Sequence, residues 1–181
     1  MRVTRAKQYR RHLRFFRIVY GIAPPYKVIL DGNFIHQCIT SKVDIEARLA
    51  SVLQGASVRL FTPRAAQVEL EALGPDFVPA FQFAKKRCRA LSVPSGEDLV
   101  LQEGRGGEGN AEGDDPATQI AAAVGKDNAG KFIVASQDDE LRSQLRRVAG
   151  CPLIHITRTV VLMEAPSGKT KATFEKAEVC P

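Results

Sequence analysis

KVILDGNFI, residues 27 to 35, runs from a cation through three apolar residues to a carboxylate, Asp31. Far along the chain KFIVASQDDE, residues 131 to 140, repeats the arrangement from Lys131 through an apolar run to Asp138. Short apolar runs that stop on an acid read as buried strands with a functional or capping residue at their carboxyl ends. Strands are therefore expected at 27–30 and 131–136, and further ones in SVRLFT (57–62), PLIHIT (152–157) and VVLME (160–164).

Helical patterns fill the gaps. Phe34 to Leu53 reads as two helical pieces, with Asp44 as N-cap of the second. Thr62 reads as the cap of a helix whose first residue is Pro63 and which stops at Gly74. Another helix is expected from Asp76 to Cys88, and Asp115-Pro116 reads as a cap and first turn before ATQIAAAV. DDELRSQLRRVAG reads as a helix ending at Gly150. Strands alternating with helices predict an α/β fold: three α/β/α layers around a central, mostly parallel sheet.

In such sheets ligands bind beyond the carboxyl ends of the strands, near a switch in strand order. If the strands before Asp31 and Asp138 are neighbours, the two carboxylates meet at one rim. Like charges there raise each other's pKa unless a cation intervenes, and an all-oxygen donor set suits Mg²⁺ or Mn²⁺. Glu69, with Glu71 as runner-up, and an aspartate at 114 or 115 are further candidates. Glu69 and Glu71 are two residues apart, so only one can face the site. Taken singly, Asp115 and Asp138 read as helix caps. Taken together, Asp31, Glu69, Asp115 and Asp138 read as an acidic site that binds a divalent metal and could act on a phosphodiester.

The chain has 181 residues, a net charge of +6 and 44% hydrophobic residues, which fits one domain with a sizeable core. No apolar run approaches the roughly 20 residues of a membrane helix, and no secretory signal or membrane partner is expected. Cysteines at 38, 88, 151 and 180 form no close pair, which suits reduced thiols. Charge is unevenly placed. Residues 1–17 carry Arg2, Arg5, Lys7, Arg10, Arg11, Arg14 and Arg17 without an acid, whereas 97–115 carries seven acids against Arg105. The stretch 92–113 is rich in Gly, Ser and acids and reads as a loop or insertion.

The basic segment interleaves its cations with Tyr9, Phe15, Phe16 and Tyr20. Its cations do not recur at one fixed interval. A helix from about Thr4 to Val19 is expected, with Leu13, Phe16 and Tyr20 on one side, ended by Pro24-Pro25. Cations neutralise phosphates and aromatics stack on unpaired bases, so the arm is a candidate RNA-binding element. The rival readings are a nuclear-import signal, a protein-binding arm, or phenylalanines that dock the arm on the domain. Lys85, Lys86 and Arg87 form a second candidate basic set. Arg142, Arg146 and Arg147 form a third, which reads equally well as a solvated face.

Four stretches carry a resemblance: PPYKVILDGNF (24–34), VELEALG (68–74), VASQDDELRSQLRRVAGCPLIHITRTVVLMEAPS (134–167) and the arm RAKQYRRHLRFFR (5–17). Together they resemble the eukaryotic ribosome-biogenesis branch of the PIN-domain nucleases. The resemblance covers nearly everything except 89–113 and the extreme C-terminus. It implies a basic arm (1–23), a PIN-like domain (24–166, with 89–113 an acidic Gly-rich loop) and a C-terminal tail (167–181), expected to be extended or partner-bound. It matches Asp31, Glu69, Asp115 and Asp138 to the four acids of the family, the third match being able to slide to Glu97 or Asp98.

The resemblance implies a nuclear, nucleolar role in early pre-18S rRNA processing. The implied partners are pre-rRNA, an H/ACA small nucleolar RNA and other proteins of the small-subunit processome. Two activities fit: an RNA-binding assembly factor with an inactive or weak acidic edge, or a metal-dependent endoribonuclease. A protein-binding adaptor would leave the arm's charge unexplained. Relatives carry a Cys/His zinc site near the segment beginning at Cys88. Here Cys88 has no histidine or second cysteine before Cys151, so no zinc is expected. Gly32 stands where nuclease relatives usually have a hydroxyl residue beside the first acid, which removes one contact to that carboxylate.

Overall fold

The computed structural model describes residues 2–91 and 115–179. The acidic loop at 92–113 and the alternative acids Glu97, Asp98 and Asp114 lie outside the described residues. A six-stranded sheet is built from β1 (Tyr26–Leu30), β2 (Val58–Thr62), β3 (Arg89–Ala90), β4 (Phe132–Ala135), β5 (Leu153–Thr157) and β6 (Val160–Met163). Their spatial order is β3-β2-β1-β4-β5-β6, all parallel except the edge pair β5–β6. The order turns around between β1 and β4, whose register pairs Leu30 with Ala135. The two opening stretches are thus neighbours at the switch point, as their sequence required for a shared rim.

The central strands are apolar from Val28 to Leu30 and from Phe132 to Ala135 because helices cover both faces. Val28 and Leu30 of β1, with Ile133 and Ala135 of β4, point into one core. Ile29 and Val134, the alternate residues, point into the other. The first core takes Phe34, Ile35 and Cys38 of α2 (Gly32–Thr40), Ile45, Leu49 and Val52 of α3 (Ile45–Val52), Leu70 of α4 (Arg64–Ala72), and Ala80 and Ala84 of α5 (Val78–Arg87). The second takes Ile120 and Val124 of α6 (Pro116–Val124) and Leu141 and Leu145 of α7 (Asp139–Leu145). Each such fully buried side chain contributes roughly 2 kcal/mol of transfer free energy.

Asp44 caps α3, accepting from the Ala47 amide at 3.0 Å. The cap expected at Thr62 is corrected. Thr62 ends β2 with its side chain fully buried and its hydroxyl without a hydrogen-bond partner. Pro63, at φ −59° and ψ 144°, occupies the capping position instead, so α4 starts at Arg64. The expected helix to Gly150 also stops early, at Leu145. Gly150 then takes φ +72° with its α-carbon against the Tyr20 ring, where a Cβ would lie 2.3 Å from a ring carbon. Only glycine fits that approach.

The arm is the helix α1 (Arg2–Tyr20), and it is part of the domain. Leu13 and Phe16 enter the first core, Phe16 to 1% exposure, and Tyr9, Phe15 and Tyr20 pack beside them. The expectation of an extended tail is corrected as well: Gly168–Val179 form a helix, α8. The Ser167 hydroxyl accepts from the Thr170 amide at its start, the Tyr20 hydroxyl donates to the Thr170 carbonyl at 2.6 Å, and Phe174 meets Phe15 edge to face at 5.8 Å. Low hydropathy hid this helix, which is held by a cap and by α1 rather than by an apolar stripe of its own.

Candidate acidic site

Asp31 follows β1 directly and precedes α2. It is 5% exposed, and its amide donates to the Ala135 carbonyl across the switch point at 3.0 Å. Its carboxylate makes no capping hydrogen bond to α2; Oδ2 accepts from the Ser136 hydroxyl at 2.9 Å. Ser136 Oγ in turn accepts from the Asp138 amide at 3.0 Å. One buried hydroxyl therefore ties the first acid to the backbone of the last. Ser136 is the residue that reading the acids alone misses, though it sits two positions before Asp138 in the quoted motif. With Gly32 lacking a side chain, Ser136 supplies the hydroxyl contact to Asp31 from the neighbouring strand.

Burial pushes the Asp31 carboxyl up from 3.8 to about 6. The Ser136 hydroxyl and the Gly32 amide work against that rise, and the charges of Asp138 and Glu69 add to it. Asp31, Glu69 and Asp138 thus act on one another at one rim, although they are far apart in sequence. Asp138 has a second duty: Oδ1 accepts from the amides of Glu140 at 2.8 Å and Leu141 at 3.2 Å, capping α7. The capping and site readings hold together for this residue.

Glu69 lines an open cleft of about 360 Å³ between α4 and α6, with Arg64, Ala65, Val68 and Gln119. Gln119 accepts from the Ala65 amide at 3.3 Å and ties the two helices. Asp115 stands one turn before Gln119. Its carboxylate accepts from the Thr118 amide at 2.9 Å and hydroxyl at 3.0 Å, as a cap does. No charge coupling to Asp31 joins it to the other three among the described residues.

The donor set is all oxygen, which suits Mg²⁺ or Mn²⁺. Among the described residues no group of three or more metal-ligating side chains is drawn closely enough to cage an ion. Mg²⁺ is ordinarily held through one or two carboxylates and its own waters, and Asp31 and Asp138 are the pair that could hold it. Cys88 is a free thiol, pushed up to about 12 by burial, and a protonated thiol is a poor ligand.

The basic candidates divide. Arg5, Lys7, Arg10, Arg11, Arg14 and Arg17 are all exposed on α1. Lys7, Arg10, Arg14 and Arg17 recur at steps of three and four and so share a helix face, beside the inward stripe of Tyr9, Leu13, Phe16 and Tyr20. The Arg2 side chain lies outside the described residues. Lys85 and Lys86 are exposed, Lys85 lying 5.4 Å from the Phe81 ring, but Arg87 is paired with Glu46. Two members of the third set are structural: Arg142 is buried and bound to Asp139 and Glu164, and Arg146 holds Glu164 at 2.8 Å. Glu164 comes from beyond β6, which is why residues 142–147 alone resembled a solvated face.

Comparison with known proteins bears on the family and the fold. The Fcf1 family model matches residues 51–165. The chain is 31% identical over 173 residues to the rRNA-processing protein utp23 of Schizosaccharomyces pombe, covering 94% of this chain and 60% of that protein. It is 25% identical over 155 residues to the rRNA-processing protein fcf1 of the same yeast, covering 83% of this chain and 69% of that one. Among solved structures, that of the PIN domain endonuclease Utp24 matches with a TM-score of 0.63 at 25% identity, over 79% of this chain and 94% of that chain. The chain thus spans about 60% of the length of utp23. With the PIN fold and the family match in agreement, this chain belongs to the Fcf1 family.

Proposed function

We propose that the chain is an rRNA-processing factor that binds pre-rRNA and assists small-subunit processome assembly in the nucleolus, with little or no cleavage of its own. The observation that carries this reading is the cationic face of α1. Lys7, Arg10, Arg14 and Arg17 are held outward by a helix whose other side is anchored in the core. An ordered row of cations that make no ion pair among the described residues binds a phosphate backbone without needing a particular base sequence. An H/ACA small nucleolar RNA is a second ligand of the same chemistry.

The second reading, a metal-dependent endoribonuclease, is favoured by one observation: the Asp31 carboxyl is raised by burial and by two acid neighbours, as at sites built to receive a cation. In that reading Asp31 and Asp138 would hold Mg²⁺ or Mn²⁺, with Glu69 beside them; Asp115 would have to release Thr118 to join. The metal would lower the charge on the phosphodiester and activate water. This chain's residues would orient the acids, through Ser136, and hold the RNA, through α1.

One experiment separates the two. Single-stranded RNA is incubated with the protein and Mn²⁺, with cleavage and binding measured for wild type and for Asp31→Asn/Asp138→Asn. The assembly-factor reading expects salt-dependent binding that survives both substitutions and no cleavage. Cleavage that disappears in the double variant would replace it with the nuclease.

A further inference from the structure

The acids occupy the carboxyl ends of the strands; the opposite end of the sheet is basic. Lys27 and Arg59 are register partners on β1 and β2, so their α-carbons lie only about 4.8 Å apart. Phe132 of β4 is the partner of Lys27 on the other side, and the Lys27 ammonium lies 5.0 Å from its ring centre. Lys131 immediately precedes Phe132, and its ammonium lies 2.9 Å from where a Cβ on Gly21, just past α1, would stand. Arg17, in the last turn of α1, is close enough for its charge to act on Tyr26 at the start of β1.

Arg17, Lys27, Arg59 and Lys131 thus gather at the amino ends of β1, β2 and β4. None makes an ion pair among the described residues. Asp127, in the loop before β4, neutralises none of them. Cations side by side on paired strands repel one another, and among the described residues no carboxylate pairs with them. Lys27 and Arg59 alternate with Val28 and Leu60 of the first core and so lie on the sheet face away from α1, whereas Arg17 comes from α1 on the other face, so the group straddles the sheet end.

We propose that Arg17, Lys27, Arg59 and Lys131 form a phosphate-backbone site for RNA at the amino end of the sheet, reached from both faces and opposite the acidic rim. The proposal rests on the RNA-binding reading above and adds a second contact region to it. Lys27 and Asp31 are four residues apart on β1 and its end, so about 13 Å of strand separates the basic end from Asp31. RNA held at this end is anchored away from the carboxylates, which would repel it.

The test measures the affinity of the full chain for a single-stranded oligonucleotide across a salt series. Three variants are compared with wild type: Lys27→Gln/Arg59→Gln/Lys131→Gln, Arg10→Gln/Arg14→Gln, and the charge-retaining Lys27→Arg/Arg59→Lys/Lys131→Arg. Each single-strand phosphate contact contributes about 0.7 to the slope of log affinity against log salt. The triple glutamine variant is expected to lose about 2 from that slope, and the charge-retaining variant to keep it. If the triple variant does not fold, Arg59→Gln/Lys131→Gln, both exposed, is expected to lose about 1.

An unchanged slope in the glutamine variants, with weakened binding in Arg10→Gln/Arg14→Gln, would overturn the sheet-end site and leave the RNA-binding reading standing. No binding by wild type at low salt would overturn that reading itself. Binding of polyglutamate but not RNA, lost in the triple variant, would assign the patch to an acidic protein and overturn the RNA proposal.

Discussion

Asp31, which is buried, and Glu164, which is partly buried, are carboxyls displaced in opposite directions. Asp31 is raised to about 6, because burial outweighs the hydroxyl and amide that stabilise its anion. The native state therefore holds its proton more tightly than the unfolded chain, and this group withdraws stability as pH rises from 3.8 to about 6. A shift of this size corresponds to at most about 3 kcal/mol. Asp31→Asn, whose amide oxygen can still accept from Ser136, is expected to be more stable than wild type by about 1–2 kcal/mol at pH 7. Denaturant melts should show the gap closing as pH falls below 4; an Asn variant less stable at pH 7 would refute the account of this carboxyl.

For Glu164 burial also acts upward. The His155 ring 3.4 Å away, the hydrogen bonds from Arg146 and the charges of Arg146 and Arg142 outweigh it and hold the carboxyl at about 2. Its contribution is present above the ordinary 4.5 and is lost as pH falls toward 2. Glu164→Gln leaves Arg142 buried beside a neutral partner and is expected to cost about 2–3 kcal/mol at pH 7. The cost should fade in acid; a constant cost from pH 7 to pH 3 would show that packing, not charge, holds β6 to α7.

At the scale of elements, what the sequence makes legible is local chemistry. The apolar runs before Asp31 and Asp138, the caps Asp44, Asp115 and Asp138, and the Leu13–Phe16–Tyr20 side of α1 all follow from neighbours within one turn or strand. What it hides depends on partners far away. Thr62 looks like a cap until its side chain is seen in the core. Arg142 and Arg146 look solvated until Glu164 arrives from β6. The tail looks unstructured until α1 offers Tyr20 and Phe15 to it. Ser136 is visible in the motif, but its link to Asp31 depends on the β1–β4 register. Tyr20→Phe removes the hydroxyl that holds the Thr170 carbonyl and should cost about 1 kcal/mol. Hydrogen exchange should speed up in residues 168–174 ahead of the β1 and β4 amides; equal protection in the variant would mean α8 is held by Phe174 alone.

On the scale of the whole molecule, the two ends of the parallel sheet carry opposite charge. Asp31, Glu69 and Asp138 stand at one end; Lys27, Arg59 and Lys131 stand at the other, with α1 leading away from it. That polarity accounts for a basic chain that still concentrates three acids, and under the proposed function it would orient a bound RNA. The sheet order places the acids together, while the choice between holding and cutting RNA depends on where the strand lies. Ultraviolet crosslinking of the full chain to pre-rRNA, with the crosslinked peptides identified, reads that position directly. Crosslinks in residues 5–20, 26–28 and 131–132 are predicted; crosslinks confined to the neighbourhood of Asp31, Glu69 and Asp138 would contradict the account and favour a nuclease.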